Sequence, residues 1–60
     1  MTDEQEKALR QFARELDRFA DANQELIDHA EAAGKYIDRA AVGSRDAQRS
    51  AASRIRRILS

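Results

Sequence analysis

Sixty residues suffice for one domain, 1–60, and are too few for a large core. The chain has no cysteine and one histidine, which excludes a disulfide framework and a thiolate zinc site. Its eleven basic and eleven acidic residues cancel, but unevenly: residues 1–31 carry nine acids and four bases, residues 32–60 seven bases and two acids, net −5 and +5.

So small a scaffold normally gains support from a disulfide, a metal or oligomerisation. With the first two set aside, self-association or docking onto a larger protein remains. No apolar run approaches the ~18 residues of a membrane span, and no secretory signal pattern is present. The expected setting is therefore cytoplasmic, with membrane attachment disfavoured.

The chain opens as a helix N-terminus. Thr2 suits an N-cap, Gln5 stands three residues on as in a capping box, and Asp3 and Glu4 fall in the first turn, where the helix dipole favours anions. From there Leu9, Phe12, Leu16, Phe19, Asn23, Leu26, Ala30, Ala33, Ile37 and Ala40 step by threes and fours. Such a series is the apolar stripe of one amphipathic helix. Glu6, Arg10, Arg14, Asp17, Asp21, Glu25, Asp28, Glu31 and Arg39 fall on the other side, and Glu6–Arg10 and Glu31–Lys35 have the favourable acid-first spacing.

Gly34 is a candidate helix stop, with a break near 33–35 as the alternative reading. The apolar period passes through it without a phase shift, however, so the first helix is expected to span about 3–41. Val42-Gly43-Ser44 is the expected turn: Gly43 suits a left-handed C-cap, and Ser44 an N-cap followed by Asp46. A second helix is then expected over about 45–59, with Ala47, Ala51, Ile55 and Ile58 on its apolar face and Ala52 and Leu59 at the edge.

These elements make an all-α helical hairpin with unequal arms, about 58 Å and 22 Å long at 1.5 Å per residue. The short arm reaches only the C-terminal part of the long one. Leu9, Phe12, Leu16 and Phe19 are left without a partner in the chain, and a stripe of two Leu and two Phe facing water is unfavourable. The expected assembly is an antiparallel helical bundle or coiled-coil homodimer, with a tetramer as the larger variant. Its interface is read as Leu9, Phe12, Leu16, Phe19, Asn23, Leu26, Ala30 and Ile37. Asn23 would act there as a register device, pairing with its mate, or be tolerated near the solvated seam.

Candidate chemistry is sparse. No nucleophile–base pair, phosphate-cradling glycine loop or metal-ligand spacing is present, so no catalytic residue, metal or cofactor is assigned and an enzyme is not expected. His29 lies on a helix flank without converging partners, and Asp17, Asp21, Glu25 and Asp28 read first as a solvated acidic row. Tyr36 is an interaction candidate, with covering of the hairpin edge as its plainer role.

The strongest site candidate is Arg45, Arg49, Arg54, Arg56 and Arg57. These arginines suit acids of the first helix, nucleic-acid phosphates, or an acidic partner. The leading functional expectation is a small non-enzymatic protein-interaction module acting as a homo-oligomer: an adaptor, inhibitor or assembly subunit. The alternative is a small nucleic-acid-binding regulator using the basic helix of a dimer, weakened by the neutral net charge and the absence of aromatic residues beside the arginines.

Overall fold

Thr2 opens the first helix as its sequence foretells. The computed structural model describes all residues, Met1–Ser60, and in it Thr2 Oγ1 accepts the backbone N–H of Gln5 at 3.1 Å while Gln5 Oε1 accepts that of Thr2 at 2.9 Å. This reciprocal box satisfies two amides that the helix start would leave orphaned. Helix α1 runs Asp3–Ala32, with Asp3, Glu4 and Glu6 in its first turn.

It ends well before residue 41. Gly34 adopts φ +66°, the one positive φ in the chain, Lys35 N–H reaches Ala30 carbonyl at 2.8 Å, and Gly34 N–H reaches Glu31 carbonyl at 3.1 Å. These are the paired bonds of a Schellman stop, which satisfy two of the terminal carbonyls. After a short linker, Asp38 caps helix α2, Arg39–Leu59, its Oδ1 accepting Ala40 N–H at 2.9 Å.

The expected boundaries are thus corrected. Gly34 is the stop, Asp38 replaces Ser44 as N-cap, and Val42-Gly43-Ser44 lies inside α2. Apolar periodicity is blind to this choice, because Ile37 keeps phase with α1 whether or not the backbone between is helical. Two good caps decide it: a glycine free to take the left-handed conformation, and an aspartate four residues later. The resulting arms are less unequal, thirty and twenty-one residues.

The two helices pack antiparallel into a rod of 48 × 15 × 13 Å, and no strand is present. Neither helix is long and apolar enough to cross a membrane. The buried residues are Ala13 (1% exposed), Ala20 (0%), Ile27 (6%) and Ala52 (0%). Along α1 the seam reads Leu9, Ala13, Leu16, Ala20, Asn23, Ile27 and Ala30; along α2 it reads Ala41, Arg45, Gln48, Ala52, Ile55 and Leu59. Both series alternate steps of three and four, the spacing of antiparallel helices packed side by side.

The seam is therefore rotated from the expected stripe. Leu9, Leu16, Asn23 and Ala30 are common to both, but Ala13, Ala20 and Ile27 take the places assigned to Phe12, Phe19 and Leu26. Moving every second contact by one residue turns the face by about 50° on a helix of 3.6 residues per turn. Alanine at the contact lets two backbones approach closely, whereas a Phe there would hold them apart. Leu9 and Leu16, expected to lack any partner in the chain, are half-buried in this seam because α2 begins at residue 39 and reaches their level.

Candidate interaction surface

The hairpin has two unlike faces beside its seam. On one, α2 arginines meet α1 acids and amides. Arg56 bonds to Asp17, Arg49 Nη2 lies 3.8 Å from Asp21, and Arg45 Nη1 donates to Gln24 Oε1 at 2.9 Å while also pairing with Asp46. The two interhelical ion pairs are exposed, so each is worth roughly 0.2–1 kcal/mol and is screened by salt, whereas the Arg45–Gln24 bond is part-buried. Their main effect is on alignment: together with Asn23 Nδ2, which donates to Gln48 Oε1 at 3.1 Å, they fix which level of α2 stands beside which level of α1.

The other face carries most of the exposed large apolar side chains. Phe12, Phe19 and Leu26 repeat every seventh residue along α1 and are 50%, 58% and 64% exposed. Ile58 of α2, 70% exposed, lies on the same side of the hairpin, because helical phase sets it opposite the Arg49–Arg56 flank. At the turn end, Leu26, Tyr36, Ile37 and Ala41 line a shallow apolar cleft, with Tyr36 itself 81% exposed. A face this rich in aromatic and branched residues is unusual on a free monomer.

The interface residues read from the sequence divide accordingly. Phe12, Phe19 and Leu26 form the open face; Leu9, Leu16, Asn23 and Ala30 belong to the intramolecular seam; Ile37 sits half-buried in the linker and not on the first helix. Asn23 is bonded within its own chain, so the register it holds is that of the hairpin. Ile58, expected on the covered face of the second helix, lies on the open one, and Gln24 and Gln48 are polar seam partners that no apolar pattern marks.

The arginine cluster also divides. Arg45, Arg49 and Arg56 are engaged with α1, whereas Arg54 and Arg57 are exposed and carry no ion pair. Of the acidic row, Asp17 and Asp21 meet these arginines, Asp28 accepts Gln24 Nε2 at 2.9 Å, and Glu25 faces solvent. His29 is exposed in the last turn of α1. No protein family, curated protein or solved structure matches this chain.

Proposed function

We propose that the chain is a non-enzymatic protein-interaction module that acts as a homo-oligomer and offers charged helix faces to further protein partners. One observation carries this reading. The buried interior consists of three alanines and one isoleucine, while Phe12, Phe19, Leu26, Tyr36 and Ile58 stand exposed. Fully burying a side chain of the Leu, Ile or Phe kind is worth about 1.5–3 kcal/mol, so the largest unclaimed stabilisation lies on the open face. Association is the means by which so small a helical chain gains it.

The second reading, a nucleic-acid-binding regulator, is favoured by Arg54 and Arg57, exposed on α2 without an acidic partner. It has weaker support, because three of the five arginines are spent on α1 and the net charge is zero. Size-exclusion chromatography with light scattering, recorded at 260 and 280 nm, separates the two. A dimer or larger oligomer without excess 260 nm absorbance is the expected result. A nucleic-acid-laden peak would favour the regulator, and a folded monomer would remove the homo-oligomer.

A further inference from the structure

The open face has a second property besides its apolar character: the two helices that flank it carry opposite charge. Helix α1 holds nine acids and four bases, and α2 six arginines and one acid, so they stand at −5 and +5; the linker's Lys35 and Asp38 cancel. The halves of the sequence are thus the helices of the fold. This separation bears on how a second copy would cover the face.

Two closed arrangements bring the open faces of two hairpins together. With the two-fold axis along the rod, α1 of one chain lies on α2 of the other and both turns are at one end. With the axis across the rod, α1 lies on α1 and α2 on α2, with the turns at opposite ends. In the first, every neighbouring pair of helices is oppositely charged. In the second, both contacts between chains join helices of like net charge, −5 beside −5 and +5 beside +5. Charge patterns of this kind specify partner and orientation more than they add affinity.

The levels along the rod agree with the first arrangement. Asp17 stands beside Arg56, Asp21 beside Arg49, Asn23 beside Gln48 and Gln24 beside Arg45, so facing residue numbers add to between 69 and 73. An axis along the rod preserves that relation between chains. Phe12 then meets Ile58 of the partner subunit, Phe19 meets the small Ala51 of the partner subunit, and Glu15, on the outer edge of the stripe, is level with Arg54 of the partner subunit. Phe12 thus meets a large apolar side chain and Phe19 a small one, and Arg54, which has no ion pair within its own chain, gains an acid.

The chain exposes 4777 Å², about 800 Å² more than a compact protein of its 6.8 kDa mass, because it is a rod of 48 × 15 × 13 Å, and side-by-side pairing of two rods gives a more compact body.

We therefore infer that the face formed by Phe12, Phe19, Leu26 and Ile58 is closed by a second copy of this chain, α1 against the partner's α2, as a four-helix bundle with both turns at one end. This inference rests on the homo-oligomer reading and goes beyond it by fixing the arrangement.

The chain has no cysteine, so Lys35→Cys gives a single spin-labelling site in the exposed turn. Pulsed dipolar spectroscopy on the labelled protein should find the two turns separated by less than half of the 48 Å rod. A separation near the full rod length, in a protein that still sediments as a dimer, would overturn the arrangement and leave self-association standing. A monomer with no dipolar signal would overturn both. A charge exchange gives an independent check: Glu15→Arg should weaken dimerisation several-fold, and Glu15→Arg with Arg54→Glu in the same chain should restore it. Failure of that restoration, with helicity unchanged, would also overturn the arrangement.

Discussion

Two glycines do opposite things in this chain, and the difference is testable at single residues. Gly34 sits at φ +66°, where a Cβ is strained whatever the surrounding space, and its own N–H and that of Lys35 close the last carbonyls of α1. Gly34→Ala should destabilise the protein by roughly 1–2 kcal/mol, the cost of a left-handed L-residue. Gly43 lies inside α2 with open space where its Cβ would stand. Gly43→Ala should stabilise by about 0.5–1 kcal/mol through helix propensity alone. Urea unfolding followed by circular dichroism reads both. A chain turning at Gly43 would show the reverse order, so the pair of variants places the turn without any further structure.

At the scale of the element, the contact face of α1 was half legible in the amino-acid sequence. The all-helical hairpin and the Thr2–Gln5 box follow from spacing and cap chemistry. The turn did not, because Gly34 and Gly43 are both plausible stops by composition; the choice depends on which one leaves an N-cap and two arms that can pair. The rotation of the seam was hidden for a different reason. Periodicity weights a position by its hydrophobicity, so Phe12 and Phe19 draw the apparent centre of the stripe toward themselves, whereas packing at a close helix contact favours the small Ala13, Ala20 and Ala52. The open face was visible only as a surplus: more large apolar residues than a single hairpin seam can use. Enlarging the seam should expose this logic. Ala20→Leu inserts three carbons where the alanine is fully buried, and overpacking of this kind costs about 1–3 kcal/mol. Phe19→Leu, on the open face of the same helix, should leave the hairpin seam intact and act on association instead. Unfolding measured beside sedimentation would distinguish these effects, and equal losses from both variants with no change in oligomer size would count against the two-faced helix.

For the whole molecule, what matters is how folding and association are coupled. The hairpin alone buries four residues, and its interhelical ion pairs are exposed, so neither the seam nor the charged flank supplies much stability by itself. If the open face is covered by a second chain, part of the folding free energy is association free energy, and the melting temperature must then rise with protein concentration. A tenfold change in concentration corresponds to about 1.4 kcal/mol for each dimer. Against an unfolding entropy of about 2.1 cal/mol/K per residue over two chains, that becomes a shift near 5 °C for each tenfold step. A hundredfold dilution should therefore lower the midpoint by roughly 10 °C in the parent chain. Phe19→Ala should lower the midpoint at every concentration and delay dimerisation to higher concentration, since Phe19 lies mid-way along the exposed stripe between Phe12 and Leu26. Raising the salt concentration screens the Arg56–Asp17 and Arg49–Asp21 pairs but strengthens rather than weakens apolar burial when the anion is sulfate. In sodium sulfate the proposed dimer should consequently hold or gain stability. A midpoint independent of concentration would show that the alanine seam holds the chain alone. A steep loss in sulfate would show that the charged flank, and not the apolar face, carries the assembly.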